Sequence, residues 1–255
     1  MLPPIVCYHK IEPRHELGVT RLSPRRFARQ IERLARSGWR ALSLGEVMAC
    51  ARGERSVAPN ELAIMFDDAY RGLREHAFPV LAAHGFTATC FVITEYAGKL
   101  NRWDVAYGGR RFAHLAWRDI ERAHARGISF ASHTATHPRL TWLSDAAVRR
   151  EFVRSRAALE RALGHPCEAV SYPFGAAGER EFALARDAGY VAGFTLVRRK
   201  SGDVMSISRI PVYVWSPPTP VVGVLAPIER WGAAVANRCA VGTSLIRRAS
   251  SIAYA

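Results

Sequence analysis

The chain alternates short apolar runs with stretches in which apolar residues recur every three or four positions. Seven runs have strand length, at 5–8, 62–66, 87–93, 128–132, 169–172, 191–196 and 207–212. Most are near-continuous apolar segments, the pattern of strands buried on both faces. Amphipathic helices lie between them, and their ends are marked. Ser23-Pro24 places serine at an N-cap and proline at the first helical position. Phe27, Ile31 and Leu34 then share one face, arginines cover the other, and Gly38 closes the helix. Ser43 can cap a second helix over 44–51. Further helices are expected at 72–84 before Gly85, at 117–126 before Gly127 and at 179–188 before Gly189. A long one begins after Ser144 and ends at Gly164, with Val148, Phe152, Leu159 and Leu163 inward.

Strand and helix in alternation predict a parallel sheet with helices outside it. The polar residues choose between an open sheet and a barrel. His9, Asp67-Asp68, His133, Pro173-Phe174 and Arg209 each follow a strand directly. In a parallel barrel these ends converge on one mouth, where active sites form. After 214 the pattern changes. Trp215-Ser216-Pro217-Pro218-Thr219-Pro220 reads as an extended arm. Val221, Val224, Leu225, Ile228, Trp231, Val235, Cys239 and Leu245 then suit one helical face, with Arg230, Arg238, Arg247 and Arg248 beside it. Residues 1–214 are therefore expected to form the barrel domain and 215–255 a proline-rich arm with a basic amphipathic helix. Such a helix can lie on an anionic membrane or pack against its own barrel.

Composition adds bounds. The 255 residues suffice for one large domain, and no apolar run approaches the ~18 residues of a membrane span. Met1-Leu2-Pro3-Pro4 opens no basic-then-apolar leader, so the expected location is the cytoplasm, including the inner membrane face. The five cysteines are widely spaced without a CxxC pair, which argues against a disulfide framework or a cysteine zinc site. The net charge is +14, but the arginines are spread over most helices, and no nucleic-acid motif is present, so no nucleic-acid partner is expected.

Three segments carry chemistry. Adjacent Asp67 and Asp68 repel each other, an arrangement that makes sense if a metal neutralises one and the other acts as a base. The plain alternative is a helix N-cap plus an acid in the first turn. In Ser132-His133-Thr134-Ala135-Thr136-His137-Pro138, two histidines four apart can share an ion. Two imidazoles and a carboxylate suit one divalent metal, zinc first, with cobalt, nickel or iron also compatible. Ser171-Tyr172-Pro173-Phe174-Gly175 is a tight turn that can present a backbone N–H to an oxyanion.

In this order and on this strand–helix rhythm, the segments resemble the polysaccharide deacetylase family, the NodB-homology carbohydrate esterase domain. Phe66-Asp67-Asp68-Ala69-Tyr70, the Ser132 to Pro138 segment and Ala188-Gly189-Tyr190 carry the likeness, which extends over roughly residues 5 to 213. The resemblance implies a distorted (β/α)7 barrel. It makes Asp68, His133 and His137 the metal ligands and Asp67 the general base. An N–H near Phe174 becomes an oxyanion donor, and Trp103, Tyr172 and Phe174 line the substrate pocket.

The chain departs from the family in two places. Ser171 stands where the family carries an arginine that positions the aspartate. Arg209 stands where the family carries a histidine acid, and arginine does not release its proton. Arg209 is therefore expected to orient Asp67. Cys7-Tyr8-His9-Lys10-Ile11 resembles the opening of a rearranged subgroup that includes exopolysaccharide deacetylases, which makes His9 the acid. The implied activity is removal of an N-acyl group, N-acetyl first, from a polymeric or lipid-linked glycan. The alternatives are a non-catalytic glycan-binding protein of the same fold and a phosphate-ester hydrolase. His15, His76, His84, His114, His124 and His165 read as loop or helix-surface residues and receive no role.

Overall fold

The computed structural model describes residues 2–16, 18–104, 109–196 and 202–216. In chain order the strands are β1 (Ile5–Tyr8), β2 (Lys10–Ile11), β3 (Arg21–Leu22), β4 (Arg40–Ala41), β5 (Glu61–Phe66), β6 (Thr89–Val92), β7 (Ser129–Ser132), β8 (Ala169–Ser171), β9 (Ala192–Thr195), β10 (Ile207–Ser208) and β11 (Ile210–Pro211). The helices are α1 (Pro24–Arg36), α2 (Leu44–Ala51), α3 (Gly72–His76), α4 (Phe78–Ala83), α5 (Trp117–His124), α6 (Asp145–Leu163) and α7 (Glu179–Asp187).

The main sheet runs β10-β9-β8-β7-β6-β5-β1-β11, all parallel, with β4 paired to β5. Its nine strands count β4 and both pieces of the last strand. Without β4, and with β10 and β11 taken as one strand interrupted at Arg209, seven remain. Ile207 pairs with Phe194 on one edge, and Ile210 pairs with Val6 on the other. The two edges of the sheet are thus drawn together into the expected barrel.

Side chains alternate across each strand. Ile5, Ala63, Met65, Phe91, Ala131, Ala169, Ala192, Phe194 and Ile207 form one buried cluster inside the barrel. Four of these are alanines, and they leave room for two phenylalanines and a methionine. Val47, Met48 and Cys50 of α2 join the same cluster. Because β4, just before α2, pairs with the start of β5, α2 closes the N-terminal end of the barrel. The outward residues Val6, Tyr8, Ile64, Phe66, Phe130 and Val170 meet α1, α4, α5, α6 and α7 in a second, larger cluster.

The predicted helix ends hold. Ser23 accepts from the N–H of Arg26, and Ser43 with Glu46 makes a full capping box. The expected 72–84 helix is instead two, α3 and α4, meeting at Ala77. Pro79 explains the break, since it has no N–H to give the carbonyl of Glu75. Of the arm, Trp215 and Ser216 are described, and Arg26 donates to the carbonyls of Val214 and Ser216. The remainder of the arm and the basic helix lie outside the described residues.

At the closed end, the carboxylate of Glu61 accepts from Arg40 at 3.1 Å, from Arg55 at 2.9 and 2.6 Å and from the N–H of Ala58 at 2.9 Å. The hydrogen bond from Arg55 is foremost in holding Glu61 down at about 2, and it outweighs burial. A depressed carboxylate stabilises the fold above its unfolded pKa and loses that contribution as pH falls toward the folded one. Glu61→Gln is therefore expected to lower the thermal midpoint at pH 7. The gap from wild type should shrink between about pH 4.5 and 2, and melting curves across that range check it.

Candidate metal centre and active site

The inward positions at the C-terminal ends of the strands build the site, and the N–H groups of Asp67, His133 and Arg209 still bond to the carbonyls of Tyr8, Val92 and Thr195 on the neighbouring strands. On β5 the inward series Ala63, Met65 leads to Asp67. Ala131 on β7 leads to His133, Ala169 on β8 leads to Ser171, and Ile207 on β10 leads to Arg209. Asp67, His133, Ser171 and Arg209 are all buried. The same period of two that packs the core delivers these polar groups to the C-terminal mouth.

Asp68 follows with a left-handed backbone, φ 70°, and Ala69 repeats it at 54°. Thr134 (66°), His137 (60°) and Phe174 (61°) are the other described non-glycine residues with positive φ. All five lie in the three loops that carry the predicted motifs. Each such residue costs about 1–3 kcal/mol, so the surroundings must hold it. For the histidine loop, the holder is Glu151 of α6. Its carboxylate accepts from the N–H groups of Ala135 (2.9 Å) and Thr136 (2.8 Å) and from the Thr136 hydroxyl (2.7 Å). Thr134 adds a bond from the His137 N–H at 3.1 Å. Neither Asp67 nor Asp68 caps a helix, since α3 begins after Arg71.

Asp68 Oδ1 lies 3.5 Å from His133 Nε2 and 3.6 Å from His137 Nε2. One ligand atom of each of the three residues lies within 4.8 Å of the others, and all three residues are buried. His133 Nδ1 sits 2.8 Å from the carbonyl of Ser171. A carbonyl only accepts, so Nδ1 carries the proton and Nε2 turns its lone pair toward Asp68. Burial, opposed by Asp67, holds His133 below its ordinary pKa and keeps it neutral. Asp68 Oδ1 is buried without a hydrogen bond. The His133 lone pair, the Asp68 oxygen and His137 Nε2 converge on one buried point, and a divalent cation fits that donor set.

Asp67 faces a different partner. Arg209 Nη1 and Nη2 donate to its two carboxylate oxygens at 2.7 and 2.8 Å, and Nη2 also donates to Ser171 Oγ at 2.8 Å. Cys7 Sγ approaches Asp67 Oδ2 at 3.5 Å. Burial alone would raise the Asp67 carboxyl. Arg209, through its charge and its two hydrogen bonds, outweighs it and holds the group well below the usual carboxylate range. The neighbour behaves oppositely: burial, then Asp67 and Asp104, push Asp68 well above its ordinary value. One of two adjacent carboxylates is thus fixed as an anion by an internal cation, and the other lacks one.

Sequence comparison decides the family. The family model described as polysaccharide deacetylase matches residues 54–193, more than half of the chain. The chain belongs to the polysaccharide deacetylase family. Among curated relatives, YxkH of Bacillus subtilis (strain 168), which bears a polysaccharide deacetylase name, is 26% identical over 192 residues, or 75% of this chain. The chain spans 63% of that relative's length. Among solved structures, the Streptococcus pyogenes deacetylase PplD in complex with acetate superposes with a TM-score of 0.77 at 23% identity. It covers 89% of this chain and 99% of its own. IcaB from Ammonifex degensii gives a TM-score of 0.71 at 23% identity, with 92% and 96% covered. These likenesses establish the deacetylase barrel. The family match begins after His9 and ends before Arg209.

In this deacetylase-family chain, His9 is half-buried, and one of its ring nitrogens lies within 4.8 Å of ligand-type atoms of both Cys7 and Asp67. Burial pushes it down to about 4, against an upward pull from Asp67. Trp103 and Phe174 flank His137, with ring centroids 4.0 and 4.7 Å away. Both rings pack directly on that histidine. Tyr172 does not. Ser171 points inward, so Tyr172 points outward, fully buried against Phe152 and Phe182 of the helical layer. It is a core residue, and the expectation that it lines the pocket is corrected.

His114, expected on a loop surface, is buried between Trp103 and the backbone of Asp68. Neither it nor Glu151 carried a local sequence signal. Both reach the site through contacts between segments distant in the chain.

Proposed function

We propose that this protein hydrolyses an N-acyl group, N-acetyl first, from a polymeric or lipid-linked carbohydrate with one divalent metal ion. One observation carries the reading: the Asp68, His133 and His137 ligand atoms converge beside an Asp67 that Arg209 holds as a carboxylate. Family membership supports the same reaction class. Asp68, His133 and His137 would hold the ion, zinc before cobalt, nickel or iron. When bound there, it supplies Lewis acidity, lowering the pKa of a water and polarising the substrate carbonyl.

The protein's own residues do the rest. Asp67 takes the proton of the attacking water, and Arg209 keeps that carboxylate ionised and aimed. In the turn after β8, the N–H groups of Gly175 and Ala176 are bound to the carbonyls of Tyr172 and Pro173. The Phe174 N–H is the proposed donor to the oxyanion. Trp103 and Phe174 wall the sugar. His9 takes up the proton that Asp67 removed from the water and delivers it to the nitrogen as the C–N bond breaks, which returns Asp67 to its carboxylate form. It starts neutral, and negative charge developing on the carbonyl oxygen raises its affinity for that proton. His9→Ala is expected to cut kcat by about 10²–10⁴-fold with the ion retained. Loss of the ion in that variant would make His9 a ligand or a structural support instead.

A cytoplasmic location, the inner membrane face included, belongs to the same proposal, with the net charge of +14 in favour of contact with an anionic surface; cell fractionation tests it. The function is tested by acyl release. Purified protein incubated with zinc or cobalt is given N-acetylated oligosaccharides and, separately, a lipid-linked N-acetyl sugar. Acetate release that Asp67→Asn abolishes supports the reading. Binding of either glycan without release would replace it with a non-catalytic glycan-binding protein.

A further inference from the structure

The long segment after β6 returns to the site through backbone pairing. Gly98 donates to Leu115, Asn101 to Phe112, and His114 to Lys99, which folds 98–101 against 112–115. The far arm then pairs with the loop after β5: Arg71 donates to Ala113 and Leu115 donates to Ala69, both at 2.8 Å. His114 is thereby set beneath Asp68. Its ring stacks on Tyr70 at 4.8 Å and an interplanar angle of 18°.

Its two nitrogens have different partners. Trp103 Nε1 lies 3.0 Å from His114 Nε2, and His114 Nδ1 lies 2.6 Å from the Asp68 carbonyl. The indole N–H can only donate and the carbonyl can only accept. Both contacts are satisfied by one arrangement, with His114 Nε2 accepting and Nδ1 protonated and donating. The two ends of this relay are distinct parts of the site. Asp68 is a proposed ligand whose backbone is left-handed, and its carbonyl is turned toward His114. Trp103 packs on His137, another proposed ligand, at 4.0 Å.

We propose that His114 is a positioning residue that couples the substrate-pocket wall to the metal centre: its Nδ1–H sets the Asp68 backbone, and its Nε2 sets Trp103 against His137. The inference rests on the reading of the site given above. It implies that ion binding and substrate binding are adjusted through one side chain that touches neither.

Three variants separate the two ends. His114→Phe keeps the ring on Tyr70 and removes both hydrogen bonds. His114→Asn places an amide where Nδ1 sits, and His114→Gln places one where Nε2 sits. Zinc affinity is measured by competition with a chelator, and KM and kcat on an N-acetylated oligosaccharide. His114→Phe is expected to weaken zinc binding by about 10–100-fold. His114→Asn is expected to retain near-wild-type zinc affinity and raise KM, and His114→Gln to do the reverse. Equal losses in Asn and Gln, tracking a fall in melting temperature, would reduce His114 to a packing residue and overturn the proposal. Wild-type zinc affinity and KM in His114→Phe would overturn it too. Independently, ¹⁵N-histidine NMR of the ion-free chain should show His114 protonated at Nδ1. Protonation at Nε2 would rule out the relay. A wild type that takes up no zinc would sink the reading of the site instead, and the NMR result would still decide the relay.

Discussion

Arg209→Ala is expected to lose about 3–5 kcal/mol of folding stability, because it leaves the Asp67 carboxylate buried without its cation. For a domain of this size that is a fall of roughly 6–20 °C in melting temperature. Activity should fall with it by at least ~10²-fold, since the base is no longer aimed. The pH dependence has a definite sign. Burial raises the Asp67 carboxyl, and Arg209 is the main group that opposes it. Without Arg209 the carboxyl titrates higher, so the basic form is lost at higher pH and the acidic limb of the rate profile moves up. Arg209→Lys restores a charge but cannot span both oxygens. It should recover part of the stability and little of the rate. Thermal melts and pH–rate profiles of the three proteins check this. An alanine variant with wild-type stability and an unmoved acidic limb would mean that Asp67 does not depend on Arg209.

The second large effect has opposite signs for stability and for function. Asp68 is buried, and in the ion-free chain burial, Asp67 and Asp104 all raise its carboxyl. A carboxyl raised above its unfolded value costs stability at neutral pH, and that cost vanishes below the unfolded pKa. Asp68→Asn removes the cost, and its amide can donate to the imidazole lone pairs nearby. The ion-free variant is therefore expected to melt higher than ion-free wild type at pH 7, with the two converging below about pH 4. Its zinc uptake and activity should drop by more than the ~10–100-fold that an outer hydrogen-bond partner costs. A variant less stable than ion-free wild type would mean that Asp68 has a structural role apart from any ion.

Much of this arrangement was legible in the chain because two simple periods carry it. Strand runs leading to Asp67-Asp68 and His133, and the last run with Arg209 within it, gave the barrel and the convergence of polar groups at its mouth. The departure at Ser171 and the arginine at 209 also became interpretable together. In the structure Ser171 is small enough to admit the guanidinium, and it accepts a hydrogen bond from it. Tyr172 was misplaced for a reason within the same logic. Once Ala169 and Ser171 face inward, the next residue must face the helices. The break between α3 and α4 was equally available from Pro79. His114 and Glu151 were not. Their roles depend on pairing between 69–71 and 113–115 and on the approach of α6 to the histidine loop, and no local pattern encodes either. The left-handed backbone at Asp68 and Ala69 has the same origin, since the carbonyls of the two residues meet His114 and the N–H of Leu115.

The central claim is that Asp68, His133 and His137 hold one divalent ion. Its most direct test is the metal content per chain of the purified protein, beside His137→Ala prepared in parallel. The account predicts about one transition-metal ion per wild-type chain and little or none in the variant. A wild type without metal after incubation with zinc or cobalt, or a variant that binds as much as wild type, would contradict it.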